Sequence, residues 1–277
     1  MTSARKILVS SLILAFALGS WAFIFEPGFG HHVEIHSLKI PAWPVSLKKL
    51  KIAVLTDLHV GSPYNGLSKL RKIIALTNNE KPDLILLAGD FVIQGVAGGT
   101  FVAPEDIAPE LRNLSAPLGV FAVLGNHDYW LDGARVTRAL ENSGIRVLTN
   151  KSVKMNFADT QFWLSGFDDS WTGKPDIEGT LQQVTDDSPV IAFTHNPDLF
   201  VDIPARVSLT IAGHTHGGQV YIPFIGRPIV PSEYGQRFAV GLIVEDGRNL
   251  FVAQGTGTSI LPVRFLVPPE ITILQFD

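Results

Sequence analysis

Residues 52–59 read IAVLTDLH, in which four apolar residues typical of a buried strand are followed at once by Thr-Asp-Leu-His. The same arrangement recurs at residues 84–90, LILLAGD, and at residues 120–128, VFAVLGNHD. Short apolar runs that end in glycine or polar residues are typical of strands whose two faces are both buried. Apolar residues at helical spacing between Leu67 and Thr77 predict a helix between the first two strands. These stretches indicate a layered α/β domain.

Outward from these stretches, the rest of the chain continues with short apolar runs. A second helix is predicted over Ala134 to Leu140, and the second half of the chain is richer in strands. The further predicted strands are Phe162–Leu164, Val190–Phe193, Leu209–Ala212, Leu242–Val244, Phe251–Ala253 and Ile271–Leu274. No internal repeat or second linker interrupts them, so we expect one domain over residues 51–277.

Five of the predicted strands are followed by aspartate, asparagine or histidine residues. These residues are Asp57, His59, Asp90, Asn126, His127, Asp128, His195, His214 and His216. Ligands of open α/β sheets bind beyond the carboxyl ends of the strands, where loops converge on a rigid edge. Each residue alone has an ordinary explanation, since aspartate caps helices, asparagine forms turns and paired histidines arise by chance. Their joint placement predicts a functional site at this edge.

The types of side chain at this edge indicate a metal site. Carboxylates, an amide oxygen and imidazoles suit two divalent ions such as Mn, Zn or Fe. The chain has no cysteine, which excludes disulfides, thiolate zinc sites, iron–sulfur clusters and cysteine nucleophiles. A carboxylate shared by two cations would hold them about 3.5–4 Å apart, the spacing of two-metal hydrolases. We expect each i, i+2 pair, Asp57 with His59 and His214 with His216, to point the same way from an extended segment.

The order of these motifs resembles the calcineurin-like metallophosphoesterases, in which D-x-H, G-D, G-N-H-D, a lone histidine and G-H-x-H follow one another. The likeness covers about residues 51–277. Residues 213–219, GHTHGGQ, and 255–271, GTGTSILPVRFLVPPEI, resemble the bacterial membrane-anchored branch of that family. The resemblance implies a four-layer α/β/β/α sandwich of two mixed sheets, with two metal ions at the sheet edge. It also implies hydrolysis of phosphoesters, with diesters favoured, by in-line attack of a hydroxide that bridges the metals.

The resemblance implies a role for each residue at this edge. The seven expected metal ligands are Asp57, His59, Asp90 and His216 for the first metal, with Asn126, His195 and His214 for the second. Asp90 would bridge to the second metal, and His127 would bind no metal but act on the phosphate as the catalytic residue. Relatives with the pattern G-D-x-x-D brace this histidine with the second aspartate, but Ile93 occupies that position here. Asp128 is an adjacent candidate for the bracing role.

Two further sets of residues are candidates for substrate contact. Residues 167–171, FDDSW, resemble a loop of the same branch, which makes Asp168 and Trp171 candidates, with a solvated acidic turn as the alternative. Trp130 and the residues from Tyr221 to Ile225 would form an apolar rim, or else pack in the core. An exposed rim would suit a lipid-linked phosphate.

The amino terminus has the pattern of a transmembrane helix. Nineteen uncharged residues, 7–25, follow Arg5 and Lys6 and precede Glu26. As a helix this segment would be about 28 Å long, enough to cross the hydrocarbon core of a bilayer. We expect a membrane anchor at residues 1–25, with a cleaved signal peptide as the alternative. Since the basic flank precedes the segment, the catalytic domain is expected outside the cytoplasm. Residues 26–50 then form a linker with one leading strand.

The overall charge and composition exclude other classes of protein. With 22 basic and 26 acidic residues, the net charge of −4 argues against a protein that coats nucleic acid. A hydrophobic content of 46% and a charged content of 17% exclude a disordered chain. We expect a monomer that acts on a phosphoester. A phosphomonoesterase and a non-catalytic, membrane-tethered metal-binding protein remain as alternatives.

Overall fold

The computed structural model describes residues 3–41 and 43–277 of the chain. Within these ranges, twelve strands form two six-stranded sheets. The first sheet contains β1 (His32–Leu38), β2 (Ile52–Leu55), β3 (Leu84–Ala88), β4 (Val120–Val123), β5 (Arg146–Val147) and β12 (Glu270–Phe276). The second contains β6 (Lys151–Phe157), β7 (Thr160–Gly166), β8 (Val190–Phe193), β9 (Leu209–Ala212), β10 (Gly241–Glu245) and β11 (Arg248–Val252).

Both sheets are mixed. Their strand orders are β1-β12-β2-β3-β4-β5 and β10-β11-β9-β8-β7-β6. Strands β2 to β5 and strands β7 to β9 are parallel, whereas β12 runs antiparallel to β2. The edge strands β6 and β10 also run antiparallel to their neighbours. Parallel central strands place their carboxyl ends, and therefore the loops that follow them, on one edge of each sheet.

The helices lie between the strands and at the amino terminus. They are α1 (Ser3–Phe29), α2 (Leu67–Asn79), α3 (Pro104–Leu111), α4 (Asn126–Asn142) and α5 (Ile177–Leu181). Short 3₁₀ turns occupy Val45–Leu47, Pro197–Val201, His216–Gly218 and Gly235–Phe238. Helices α2, α3 and α4 are the crossovers that parallel neighbours in the first sheet require.

The central strands are buried on both faces, which explains their unbroken apolar runs. In β2, Ile52 and Val54 face the second sheet, while Ala53 and Leu55 pack against the helices. The outer face of the second sheet is covered by α5 and by 3₁₀ turns, with Phe200 packed against it. The layers are helix, sheet, sheet and helix. The predicted four-layer α/β/β/α fold is confirmed.

A strand overlaps each one predicted from the sequence, but β5 and β6 carry no apolar run that would predict them. β5 has only two residues. β6 lies at a sheet edge, where Lys151 and Lys154 are exposed and Met155 is buried. An edge strand with polar residues on its open side does not form a continuous apolar stretch.

Helix α1 is long and apolar enough to cross a membrane, and its carboxyl end packs on the domain. Its first part, Ser3–Ser20, has no buried side chain. Glu26, in contrast, is buried, and its carboxylate accepts hydrogen bonds from the N–H groups of Leu266 (3.0 Å) and Val267 (2.6 Å). β1 then pairs with β12 at the edge of the first sheet. The segment expected as a linker therefore lies against the domain.

Candidate metal centre

The loops that follow β2, β3, β4, β8 and β9 meet at the carboxyl edge of the two sheets. The N–H of His59 donates to the carbonyl of Asp90 (2.9 Å), which joins the loops after β2 and β3. The N–H of Gly213 donates to the carbonyl of His195 (2.9 Å), which joins the loops after β8 and β9. All nine polar residues expected at this edge are buried there.

One group of potential ligands contains Asp57, His59 and His216, whose ligand atoms lie within 4.8 Å of one another. Nε2 of His216 is 3.1 Å from Nε2 of His59 and 3.3 Å from Oδ1 of Asp57. Nδ1 of His59 donates to the carbonyl of Val92 (3.1 Å), so its Nε2 carries the lone pair when the ring is neutral. Oδ1 of Asp57 has no hydrogen-bond partner among the described residues. A cation among these atoms would satisfy them.

A second group contains Asp90, His195 and His214. Nε2 of His195 lies 3.1 Å from Nδ1 of His214 and 3.2 Å from Oδ1 of Asn126. Oδ2 of Asp90 lies 3.3 Å from Nε2 of His195 and 3.4 Å from Nε2 of His59. One oxygen of Asp90 therefore stands between the two groups, where a bridging ligand would be.

The surroundings of His195 require a positive charge at the centre of the cluster. Nδ1 of His195 donates to the carbonyl of Ala88 (2.7 Å), while its Nε2 faces oxygens of Asn126 and Asp90. Burial alone would lower the pKa of His195, but attraction to Asp90 outweighs burial and raises it to about 10. Either a proton or a metal cation must lie among these acceptors. Imidazole and oxygen donors in this arrangement fit a divalent cation.

Three other imidazoles are neutral near pH 7. Burial lowers the pKa of His59 to about 3, although the nearby Asp90 opposes this, and burial also lowers the pKa of His214 to about 3. The pKa of His216 lies well below its usual value for the same reason. Burial raises the pKa of Asp57 to about 6. A neutral imidazole has the free lone pair that metal binding needs.

Most of the expected ligands have left-handed backbone conformations. Their φ angles are 51° for Asp57, 39° for His59, 57° for Asp90, 70° for His214 and 52° for His216. This conformation costs a non-glycine residue about 1–2 kcal/mol and clusters at functional sites. The expectation that Asp57 with His59, and His214 with His216, project from extended segments is wrong, because left-handed turns direct all four. Gly125 is needed for a different reason, since a Cβ there would lie 2.7 Å from the Asp90 nitrogen.

His127 lies beside both ligand groups. Its backbone N–H donates to Oδ1 of Asp90 (2.9 Å). Its ring is edge-on to His59 and Trp130, with ring centroids 4.7 and 4.6 Å away. A ring nitrogen of His127 also lies within 4.8 Å of ligand atoms of His59 and Asp90. Burial lowers the pKa of His127.

Gln94 makes the side-chain contact to His127 for which the sequence suggests Asp128. Nδ1 of His127 faces Oε1 of Gln94 at 3.4 Å, and Nε2 of Gln94 donates to the His127 carbonyl (3.1 Å). Ile93, one residue earlier, is buried. A single glutamine forms no recognisable motif, so sequence reasoning missed it. Gln94, and not Ile93, is therefore the residue whose side chain faces a ring nitrogen of His127.

The Asp128 carboxylate joins two loops instead of contacting the His127 ring. It accepts hydrogen bonds from the N–H groups of Gly125 and Asp90 (2.9 Å each), Phe91 (3.0 Å) and Val92 (3.4 Å). Burial raises the pKa of Asp128 to about 7, although these donors favour its charged form. Asp128 caps α4 and holds the loop that carries Asp90.

Replacing Asp128 by alanine is expected to destabilise the domain, because four buried N–H groups would lose their acceptor. A buried donor without a partner costs about 1–3 kcal/mol, so the free energy of unfolding should fall by about 3 kcal/mol or more. Urea unfolding of the full chain in detergent, followed by tryptophan fluorescence, measures the loss. Asp128→Asn keeps one acceptor oxygen and should lose less. Equal stability of the alanine variant and the unmodified protein would contradict this bracing role.

Asp168 and Trp171 lie in the loop after β7 and differ in their contacts. Asp168 is buried, and its carboxylate accepts hydrogen bonds from the hydroxyl of Tyr129 and the N–H of Lys174 (2.8 Å). Trp171 is half-exposed and lies edge-on to His214, with ring centroids 4.4 Å apart. Asp168 therefore holds the loop, while Trp171 stands beside the ligand groups.

A cavity of about 440 Å³ opens over Asp90, His127 and His214. Its apolar walls are formed by Trp130, Trp171, Val220, Pro228, Ile229, Pro231, Ile260, Leu261 and Val263. None of the described residues that line it is lysine or arginine. The site combines metal-ligand chemistry at its base with apolar walls.

Comparison with known proteins points to the same family that the order of the sequence motifs resembles. The profile of the calcineurin-like phosphoesterase family matches residues 50–218. The metallophosphoesterase YkuE of Bacillus subtilis is 34% identical over 93% of this chain and 92% of its own length. The phosphodiesterase YaeI of Escherichia coli is 33% identical over 90% of this chain and 89% of its own length. A transmembrane protein with metallophosphoesterase domain from Danio rerio is 30% identical over 87% of this chain and 55% of its own length.

Proposed function

Because this chain belongs to the calcineurin-like phosphoesterase family, we propose that it is a phosphodiesterase that works with two divalent metal ions. The observation that carries the proposal is the position of Asp90, whose Oδ2 lies 3.3 Å from Nε2 of His195 and 3.4 Å from Nε2 of His59. A group shared between two ligand sets is what a pair of cations about 3.5–4 Å apart requires.

The proposed ligands form two sets that share Asp90. The first set is Asp57, His59, Asp90 and His216, and the second is Asp90, Asn126, His195 and His214. Mn, Zn and Fe suit this mixture of oxygen and imidazole donors. When bound, the two cations would lower the pKa of water and offset charge on the phosphoryl oxygens.

The residues of the chain would hold the phosphate and supply a proton. With Nδ1 of His127 turned to Oε1 of Gln94, its Nε2 is the nitrogen left for the substrate, and it can donate to a phosphoryl or leaving-group oxygen when the imidazole is protonated. Asp128 would keep the loops of Asp90 and His127 together through their backbone N–H groups. The apolar walls would exclude water from the reacting phosphate, which strengthens charge interactions there.

Two features favour a diester over a monoester. A monoester carries more negative charge at neutral pH than a diester, and none of the described residues lining the cavity is lysine or arginine. A diester also has a second organic group, which a wall containing Trp130, Ile260 and Leu261 can contact. YaeI, a relative at 33% identity, is named a phosphodiesterase. The same wall suits a lipid-linked phosphodiester.

Helix α1 is proposed as a single membrane-spanning anchor that leaves the catalytic domain outside the cytoplasm. Arg5 and Lys6 precede its apolar stretch, and basic residues favour the cytoplasmic side. The uncharged segment of residues 7–25 is long for the apolar part of a signal peptide, which favours a retained helix over a cleaved signal peptide. Protease added to intact spheroplasts should digest the domain. Protection of the domain until lysis would contradict this orientation.

The test of the proposed function combines metal analysis with two model esters. The full chain is purified in detergent, stripped with a chelator, and supplied separately with Mn, Zn or Fe. We expect two metal ions per chain, and faster hydrolysis of bis(p-nitrophenyl) phosphate than of p-nitrophenyl phosphate. The opposite preference would make the protein a phosphomonoesterase. Metal binding without hydrolysis of either ester would make it a non-catalytic metal-binding protein.

A further inference from the structure

Residues 259–267 form a wall of the cavity and also hold the end of helix α1. Ile260 and Leu261 line the cavity. Farther along the same segment, the N–H of Arg264 donates to the carbonyl of Ala22 (2.9 Å). The wall of the candidate active site is therefore connected to the proposed anchor within a few residues.

The contact between Arg264 and Ala22 sets the depth of this segment relative to a membrane. The apolar stretch of α1 ends at Phe25, so Ala22 lies three residues inside that end. Trp21 and Phe25 are exposed on the helix at this level, and aromatic residues gather where headgroups meet acyl chains. The Arg264 guanidinium is buried and donates to the carbonyl of Gly257, so its positive charge lies inside the protein.

This segment and the neighbouring loop of residues 221–229 both expose large apolar side chains. These side chains belong to Phe224, Ile225, Ile229, Ile260, Leu261 and Leu266. The loops are joined, because the N–H of Tyr221 donates to the carbonyl of Phe265 and the N–H of Phe265 donates to the carbonyl of Gln219 (2.9 Å each). The two loops that carry the exposed apolar side chains are thus held together between the cavity wall and the helix.

The backbone of these loops supports a role for the exposed side chains. Positive φ angles occur at Phe224 (70°), Ile260 (63°) and Leu266 (56°). Bulky residues rarely adopt this conformation, which glycine and asparagine accept more easily. If these turns faced only water, an exposed apolar side chain in a left-handed conformation would make no stabilising contact. Large apolar patches of this kind mark contact with a partner or a membrane.

We propose that loops 221–229 and 260–266 form a membrane-contact surface, which enters the lipid bilayer beside α1 and turns the cavity toward the headgroups. The proposal rests on the anchor role of α1 and deepens the proposed function. It means that the enzyme takes its phosphodiester from the bilayer. The apolar side chains enter the boundary region while the metal-ligand groups stay above it.

The depth of this surface can be measured directly, because the chain has no cysteine. Phe224→Cys and Ile225→Cys are made in the full chain, spin-labelled, and reconstituted in phosphatidylcholine–phosphatidylglycerol vesicles. Val45→Cys is the control, since Val45 is 79% exposed and its neighbour Ser46 contacts Thr160 at the far end of β7. Labels at 224 and 225 should collide more with oxygen than with a water-soluble nickel chelate. Labels that behave like the one at 45 would overturn the proposal.

A second measurement separates membrane contact from catalysis. Phe224 and Ile225 do not line the cavity, so the double variant Phe224→Asp, Ile225→Asp should hydrolyse soluble bis(p-nitrophenyl) phosphate at the unmodified rate. Its rate on a diacylglycerol p-nitrophenyl phosphodiester held in vesicles should fall at least about tenfold. Val45→Asp should change neither rate. An unchanged rate on the vesicle substrate would overturn the proposal. Failure of the unmodified protein on both esters would refute the proposed function and leave the depth measurement intact.

Discussion

Replacing Asp90 by asparagine is expected to leave fewer than two metal ions on each chain and to lower kcat/KM for diesters by more than about 100-fold. Groups that merely orient a metal ligand already contribute about 10–100-fold to metal affinity, and Asp90 is proposed to bind both cations directly. Its Oδ2 stands 3.3 Å from Nε2 of His195 and 3.4 Å from Nε2 of His59, so a single oxygen would serve both ligand sets. Metal content by mass spectrometry and initial rates with excess metal measure both effects.

The control for this variant is Asp83→Asn, at the other end of strand β3. Asp83 directly precedes β3, at the end opposite Asp90, and its carboxylate accepts the N–H of Lys51 (2.8 Å). The Asp83 variant should keep both metals and full turnover. In Asp90→Asn, the amide oxygen would take the place of Oδ1, which accepts the N–H of His127, so the loop should stay in position. Two bound metals and normal turnover in Asp90→Asn would show that the carboxylate is not shared.

The parts of the fold that can be predicted from the sequence are those in which local pattern and burial agree. Ile52–Leu55 and Leu84–Ala88 have the same bounds in the prediction and in the structure, because both faces of these strands are buried. β6 has no such pattern, since its lysines face solvent at a sheet edge. Glu26 marks the end of the apolar segment in the sequence, but its docking on residues 266 and 267 depends on contacts about 240 positions away.

The residues that meet at the site can be predicted from their positions after successive strands, but the way they converge cannot. The left-handed conformations of Asp57 and Asp90 depend on hydrogen bonds between loops that are distant in sequence. The carboxylate of Asp128 bonds to the backbone of the Asp90 loop, which no local pattern indicates. Gln94 reaches His127 only because that loop passes beside α4. Motif order predicts the chemistry of the residues, and tertiary contacts determine their geometry.

Replacing His127 by alanine is expected to lower kcat by about 100- to 10,000-fold, the usual contribution of a positioned general acid. The imidazole lines the cavity and is proposed to donate a proton to a phosphoryl or leaving-group oxygen. Both metals should stay bound, because the alanine variant keeps the backbone N–H that donates to Asp90. Measurements of kcat, KM and metal content separate this result from that of the Asp90 variant. An unchanged kcat would remove His127 from the mechanism.

Variants of Gln94 test the orientation of the His127 imidazole separately from the presence of that imidazole. Gln94→Ala removes both contacts to His127 but leaves the ring, so kcat should fall only about tenfold, with KM and metal content little changed. Gln94→Glu restores an acceptor for Nδ1 and should recover part of kcat, which a purely structural role would not predict. Because Gln94 acts through His127, the double alanine variant should be no slower than His127→Ala alone. If the two losses multiply instead, Gln94 acts independently of the imidazole, and the positioning role fails.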